Sequence, residues 1–326
     1  MKIDTIKFDR FPLLLAPMED ITDTSFRLIA KEFGADMLYT EFVASEALIR
    51  NVEKSLKKLK LRAEERPIGI QIYGHQIDSM VEAAKIAEEA KPDLIDINFG
   101  CPVKKIAMRG AGSGIFQDIP KMIKMTEAIV KSVKLPVTVK TRLGWDHESR
   151  IIDQLTETLQ DTGIKALTIH GRTRAQLYKG EADWDLIGKI KQNPRIHIPI
   201  IGNGDVTSGK KAQEKIDKYG VDGIMIGRAS IGKPWIFKQI RHFLETGTEM
   251  PEPSLPEKVD IAKNHFLQSL KVKGEPRGIF EMRRHFALYF KGLPNFKPTR
   301  LKLLTSLDTT EIPKILDEIK ENYKEL

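Results

Sequence analysis

Eight short apolar runs, each followed by a segment with helical spacing, constrain this chain more than any other feature. The runs are Phe11–Ala16, Asp36–Thr40, Ile68–Ile72, Leu94–Asn98, Val137–Lys140, Ala166–His170, Ile198–Ile201 and Gly223–Ile226. Their length and apolar content are those of buried strands. Between them, segments such as Met80–Ala90 and Ile119–Val133 repeat apolar residues at the period of a helix with one buried face. Capping signals agree. Asp118 precedes Pro120, Thr207 and Ser208 open the segment leading to Ala212–Tyr219, and Gly34 and Gly220 stand where helices stop. Eight alternations in about the first 245 residues match an α/β fold of the (β/α)8 TIM-barrel kind in count and length. The competing architecture, an open doubly wound sheet, normally carries G-x-G-x-x-G after its first strand. Here that strand ends in Pro17-Met18-Glu19-Asp20.

Beyond the last alternation the composition changes. Thr248–Pro256 reads TEMPEPSLP, rich in proline and acid, which marks a linker. The expected organisation is a barrel over 1–247, a linker over 248–256 and a small all-α domain over 257–326. Helical patterns occur at Pro256–Val272, Arg277–Phe290 and Glu311–Asn322. The middle of this domain is basic: Lys258, Lys263, Lys271, Lys273, Arg277, Arg283, Arg284, Lys291, Lys297, Arg300 and Lys302 face only Asp260, Glu275 and Glu281. The whole chain carries a net charge of +8, which permits a polyanionic partner without requiring one. Its concentration here reads as a phosphate-binding face. The interleaved aromatics Phe280, Phe286, Tyr289, Phe290 and Phe296 have helical spacing and read as core rather than base-stacking residues.

A single cysteine excludes a disulfide framework and a thiolate metal site, and points to a reducing, cytoplasmic setting. The opening residues MKIDTIKFDR lack the apolar segment of a secretory signal, and no apolar run is long enough to span a bilayer.

In a barrel of this kind, chemistry belongs at the C-terminal ends of the strands. Those ends carry Ala16-Pro17-Met18, Glu41, Gln71, Asn98–Cys101, Lys140, His170, Asn203-Gly204-Asp205 and Gly227-Arg228. A lone cysteine commonly fills core space as a small hydrophobe. Cys101, however, is pinned between Gly100 and Pro102 at a strand end with Lys104 and Lys105 following, a setting for a reactive or proton-donating thiol. Lys140 either snorkels to the rim or meets an electron-rich group, because a buried ammonium needs an anionic partner. His170 is as readily a satisfied core histidine as a ligand contact. Gln71 offers a donor and an acceptor, which suits the edge of a heterocycle. The loops GNGDV (Gly202–Val206) and IGRASIGKPW (Ile226–Trp235) follow strands seven and eight, where barrels often bind phosphate, and Arg228 can grip one with two nitrogens. No His, Asp or Glu set has metal-ligand spacing, so no metal is expected.

These stretches resemble one family, the tRNA-dihydrouridine synthases, flavin enzymes that reduce selected uridines in tRNA. The resemblance is carried by APMEDITDTSFR (Ala16–Arg27), QIYG (Gln71–Gly74), DINFGCPVKK (Asp96–Lys105), GAGSGIF (Gly110–Phe116) and VTVKTRLGW (Val137–Trp145). It continues through LTIHGRTRAQLYKGEADW (Leu167–Trp184), IIGNGDV (Ile200–Val206) and DGIMIGRASIGKPWIF (Asp222–Phe237). The order is that of the family, and the bacterial B-type branch is most similar. The resemblance implies FMN at the barrel mouth, with Ala16, Pro17, Met18 and Gln71 lining the ring and Lys140 and His170 at its polar edge. Asn203, Gly204, Asp205, Gly227 and Arg228 would hold the ribityl phosphate. Cys101 matches the proton donor and Asn98 a residue near the target uracil, with Lys104, Arg172 and Arg174 as further substrate contacts.

The implied reaction reduces the C5–C6 double bond of uridines in the tRNA D-loop. NADPH, or NADH, reduces FMN and leaves; hydride then goes to C6 and a proton from Cys101 to C5. The uridine must be flipped out to reach the ring, while the helical domain grips tRNA by shape and phosphates. No membrane and no stable protein partner are implied, and a monomer is the default. Family members often have Ala-Gly after the APM triad, where this chain has Glu19-Asp20, and proline where it has Ser25. Two acids there are expected to repel phosphate and alter the local substrate path. The competing readings are a flavin barrel acting on a free pyrimidine and an RNA-binding protein without catalysis.

Overall fold

In the computed structural model, which describes residues 1–323, the eight runs form one closed ring of parallel strands. In chain order they are Leu13–Leu15, Leu38–Tyr39, Ile68–Tyr73, Leu94–Phe99, Val137–Arg142, Leu167–His170, Ile200–Asn203 and Gly223–Ile226. Each pairs with its neighbour in sequence order; the eighth pairs with the first through Ile224↔Leu13, and a bridge between Leu14 and Met37 closes the ring. The strands are buried on both faces, as expected where helices cover the outside and side chains fill the inside.

The inside has two layers of opposite character. Near the N-terminal ends, Leu14, Tyr39, Leu94, Ala166, Ile201 and Met225 pack together and are sealed by Ile3. Ile3 comes from a short antiparallel hairpin, Lys2–Ile3 with Ile6–Lys7, that no sequence pattern indicated. Towards the C-terminal ends the inward positions turn polar. Register places Gln71 beside Asp96, Asp96 beside Thr138 and Asn98 beside Lys140. A ring that is apolar below and polar above provides a floor for a site and a wall of functional groups.

The last barrel helix, Ile236–Thr246, ends at Gly247 in the left-handed conformation. The next helix begins at Leu255, two residues before the expected start of the helical domain at 257, with Ser254 and Glu257 capping each other's backbone. Helices Leu255–Lys273, Arg277–Tyr289 and Glu311–Asn322 match the expected three, and Lys297–Thr305 adds a fourth. The last residues of the expected helical domain, 324–326, lie outside the described residues. Phe286, Tyr289, Phe290 and Phe296 lie in the core of this bundle, as their spacing indicated, together with Phe266, whereas Phe280 is 45% exposed.

The linker does not behave as a tether. Glu252 meets Lys233, pairs with Lys258 at 3.3 Å and accepts from Trp235 Nε1 at 2.9 Å. Trp235 and Phe33, both from the barrel, pack into the core of the bundle. The barrel's first helix, Thr24–Glu32, lies against Leu255–Lys273, with Phe26 4.8 Å from His285 and 5.6 Å from His265 between ring centres. Gly232 (φ +67°) touches Leu288 so closely that a Cβ there would sit 2.6 Å from the Leu288 Cβ. Two ion pairs finish the seam: Lys273 to Asp23 at 2.6 Å and Arg284 to Asp20 at 2.8 Å. No helix among the described residues is long and apolar enough to cross a membrane.

Candidate active site

A cavity of about 710 Å³ opens at the C-terminal ends of the strands, in the size range of small-molecule sites. Ala16, Pro17, Met18, Gln71, Asn98, Cys101, Lys140, His170, Asn203, Gly204, Asp205, Gly227 and Arg228 all reach its wall. Lys104, Arg172 and Arg174 do not. Lys104 is exposed on the short helix Lys104–Ala107. Arg172 is 2% exposed; it donates to Asp205 at 2.7 and 3.0 Å and to the carbonyls of Lys179 and Gly180. Arg174 stacks on Trp145, 4.5 Å from the ring centre.

Cys101 sits on the turn leaving the fourth strand, and its backbone is held from both sides. Asn98 Oδ1 accepts from the N–H groups of Gly100 and Cys101, each at 2.9 Å. The Cys101 carbonyl accepts from Ser113 N at 3.1 Å and Ser113 Oγ at 2.7 Å. Gly112, in the left-handed region at φ +54°, lies so close that a Cβ on it would stand 2.9 Å from the Cys101 Cβ. Burial pushes the thiol pKa up, while an N–H from Val103 and the charges of Arg142 and Lys140 pull it back. The cations acting on the thiol are thus Arg142 and Lys140, not the exposed Lys104 and Lys105 that follow it in sequence.

Arg142 is a site residue that sequence reasoning missed. It is 2% exposed and ties two loops together, donating to Gly100 O, Thr173 O and Leu177 O, each at 2.8 Å. Its signal was its place two residues beyond Lys140, on the same face of an extended strand. Asp96 was missed for the same reason, two residues before Asn98. It accepts from Thr138 Oγ1 at 2.5 Å and Gln71 Nε2 at 2.6 Å, and Asn98 Nδ2 donates to Gln71 Oε1 at 2.9 Å. Both Gln71 and Asn98 therefore brace the floor and also face the cavity. Tyr178 was missed too; its half-exposed ring lies on the wall between Arg228 (4.6 Å) and Arg142 (5.6 Å).

Beside Tyr178, 6.4 Å away between ring centres, His170 is nearly buried, and burial together with Arg142, Lys140, Arg172 and Arg228 pushes its pKa well below the usual imidazole value. The ring is neutral. Arg172 Nη1 lies 3.3 Å from His170 Nε2, and a guanidinium can only donate, so the ring proton belongs on Nδ1. Lys140, half-buried, has its pKa lowered to about 8 by burial and by Arg142, against the pull of Asp96 and Cys101. Its ammonium has no hydrogen-bond partner among the described residues. Asp205 (φ +55°) pairs with Arg172 and, at 3.3 Å, with Arg228, so that both of its oxygens are engaged by donors of the protein.

At the rim, carboxylate oxygens of Glu19, Asp20 and Glu41 come within 4.8 Å of one another. Lys58 pairs with Glu19 at 2.6 Å and Glu41 at 3.6 Å, and Arg284 holds Asp20. The repulsion expected of Glu19-Asp20 is thus met by cations, and Asp20 serves the seam with the helical domain. Ser25, where proline is common, donates to Asp23 at 2.8 Å.

Residues 14–324 match the family model described as dihydrouridine synthase. A probable tRNA-dihydrouridine synthase of Rickettsia conorii is 42% identical over 284 residues, covering 87% of this chain and 85% of that protein. A tRNA-dihydrouridine synthase B of Pseudomonas aeruginosa is 39% identical over 297 residues, covering 91% and 89%. Among solved structures, a 2-naphthoyl-CoA reductase complex superposes with a TM-score of 0.59 at 13% identity, over 74% of this chain and 51% of that one. Morphinone reductase in complex with tetrahydroNAD gives 0.55 at 12% identity, over 78% and 91%. These last two likenesses concern the fold alone.

Proposed function

Because the chain belongs to the dihydrouridine synthase family, we propose that it is an FMN-dependent oxidoreductase that reduces the C5–C6 double bond of uridines in the D-loop of tRNA, driven by NADPH or NADH. The observation that carries this reading is one wall of the cavity. There Lys140, whose ammonium has no hydrogen-bond partner among the described residues, stands with the neutral His170 and faces a space whose lip bears the protein's single thiol. An electron-rich ring, more so when reduced, supplies the partner that Lys140 lacks.

FMN fits these residues. Ala16, Pro17 and Met18 offer an apolar face, Gln71 keeps a second amide N–H free of Asp96, and Arg228 stands where a phosphate can be gripped by two nitrogens. When bound there, FMN would supply the hydride chemistry between the nicotinamide and C6 of the uracil. Cys101 holds the other half of the reaction, a proton at Sγ, which passes to C5 and leaves a thiolate. Burial keeps that proton on sulfur at neutral pH, and Arg142 and Lys140 stabilise the thiolate until solvent returns the proton. Asn98 fixes the turn from which the thiol acts.

The helical domain is the tRNA-binding part of this reading. Several of its cations are committed within the protein, to Glu252, Asp317, Asp23, Glu281 and Asp20. Of the cations named from the sequence, Lys271, Arg283, Lys291, Lys297, Arg300 and Lys302 have no ion-pair partner among the described residues; Arg283 donates to the Thr305 carbonyl and stacks on Phe280, and the last four lie together in Lys291–Lys302. That stretch is the phosphate-facing surface. A single thiol that must stay reduced suits a cytoplasmic enzyme, and one copy carries every residue named, as a monomer would.

Nucleoside mass spectrometry on unmodified tRNA incubated with the protein, FMN and NADPH tests the whole reading. A uridine heavier by two hydrogens is expected with the wild type. Cys101→Ala is expected to bind FMN and accept electrons from NADPH while losing most uridine reduction. Full activity of that variant sinks the proton-donor role. Reduction of free uracil derivatives without tRNA points to the free-pyrimidine reductase instead.

A further inference from the structure

Beneath Cys101 lies a relay of hydrogen bonds whose sense is fixed at both ends. We infer that Asp96 is a positioning residue for Cys101: its carboxylate sets the orientation of the Gln71 and Asn98 amides, and through them holds the Gly100–Cys101 turn. The inference rests on the reading of Cys101 as proton donor.

A primary amide has nearly the same shape whichever way round it sits, so its orientation is decided by its neighbours. At the upper end the neighbours are the backbone N–H groups of Gly100 and Cys101, which can only donate. Asn98 must therefore offer them its oxygen, which leaves its NH2 to face Gln71. At the lower end the neighbour is Asp96, which in ionised form can only accept. Gln71 must give it the NH2, which leaves Oε1 to receive Asn98. The two demands agree, and they agree only because position 96 is an acceptor.

An asparagine at 96 removes that constraint. Gln71 is then free to turn over, its NH2 would oppose the NH2 of Asn98, and Asn98 in turn would lose its hold on the Cys101 turn. Gln71 is fully buried, Asp96 1% exposed and Asn98 6%, so bulk water does not repair a mismatched pair. Thr138 secures Asp96 from the other side by donating to its second oxygen. Burial raises the Asp96 pKa to about 6 against the pull of Gln71, Thr138 and Lys140, which leaves the group ionised at neutral pH.

Because Cys101 is the only cysteine, alkylation of the holoprotein by iodoacetamide, followed by intact mass as a function of pH, reads this turn alone. Asp96→Asn is expected to react about tenfold faster near neutral pH, the loss of one charge-assisted hydrogen bond. Its pH midpoint should fall towards that of an ordinary thiol as the turn loosens and the sulfur gains solvent. The double variant Asp96→Asn/Gln71→Glu, brought to wild-type flavin content with excess FMN before alkylation because Gln71 also lines the cavity, moves the carboxylate one step along the relay. A glutamate at 71 can only accept, from both sides, so Asn98 again turns its oxygen to Cys101. Alkylation is expected to return to within about twofold of wild type.

A packing role for Asp96 would not be restored by exchanging charge with its neighbour. Wild-type alkylation in Asp96→Asn, or a double variant no slower than the single one, overturns the inference. Should Asp96→Asn fail to fold, soluble double variant with slow alkylation supports it and an insoluble double variant overturns it. Failure of the proton-donor reading shows elsewhere, as full activity of Cys101→Ala, so the two can fall separately.

Discussion

Replacing Lys273 with methionine removes the more buried of the two cations that pair the helical domain with the barrel. Its ammonium lies 2.6 Å from Asp23, with side chains 11% and 9% exposed, and it also meets Glu281. Burial alone would raise the Asp23 pKa; Lys273, with smaller help from His265 and the Phe26 N–H, brings it down to about 2. Measured from the ordinary value of 3.8, that drop is worth about 2–3 kcal/mol at neutral pH. Methionine keeps most of the aliphatic stem, and Glu281 keeps Arg277 at 2.8 Å, so the group left stranded is Asp23. An expected loss of about 2–4 kcal/mol follows, since a buried carboxylate loses its counter-charge. Denaturant unfolding followed by tryptophan fluorescence is the assay, because Trp235 packs 6.1 Å from Tyr289 at the same seam. A depressed carboxylate pKa stabilises fully above its unfolded value near 4 and is lost as pH falls through its folded value near 2. In the variant Asp23 keeps its burial without its cation, so its folded pKa lies above the ordinary 3.8; the gap between wild type and variant should therefore be full at neutral pH, begin to close as pH falls through that raised value and be largely gone near the wild-type value of about 2. Equal stability at neutral pH, or a gap that persists unchanged at pH 2, refutes the argument.

Gly112→Ala should place a Cβ 2.9 Å from the Cys101 Cβ and 3.0 Å from its carbonyl oxygen, on a left-handed backbone. Uridine reduction in single turnover is expected to fall about ten- to a hundredfold while NADPH reduces the flavin at the wild-type rate; an equal effect on both steps would contradict this. Lys140, with its pKa lowered to about 8 in the protein without FMN, holds its charge below that pH and loses it above. FMN affinity, read by flavin fluorescence, should therefore weaken as pH rises past 8, and Lys140→Met should abolish that dependence. Neutralising Lys291, Lys297, Arg300 and Lys302 to glutamine should weaken tRNA binding for all sequences alike and lower the salt slope by about one per residue. An unchanged slope would move the tRNA contact elsewhere.

The barrel was legible because its signal is local: an apolar run and a helical repeat each lie within a few residues. The N-terminal hairpin was not, since two-residue strands have no period to detect. Helix Lys297–Thr305 escaped because Phe296 at its start makes no side-chain cap and only Leu303 is buried along it. At the site, Cys101, Lys140 and His170 were readable as polar groups at strand ends. Asp96 was hidden inside what reads as strand, and Arg142 lay one alternation beyond a run that reads as ending at Lys140 but continues through it. Least readable were the partnerships. Glu19-Asp20 looks like a repulsive patch until Lys58 and Arg284 are brought to it, the latter from 264 residues away. The same folding consumes much of the bundle's apparent charge, which composition counts as free.

The seam between barrel and bundle has a further consequence for recognition. With the linker fastened by Glu252 and Trp235 packed into the core of the bundle, the span from the Lys291–Lys302 surface to the cavity mouth is set by packed contacts instead of by a free tether. Under the proposed function the protein acts as a ruler. Phosphates gripped at one end fix how far along the folded RNA the reactive base must stand, and it is the nucleic acid that has to bend. Which uridine is reduced is then a matter of length measured off the elbow of the tRNA, more than of the letters around it.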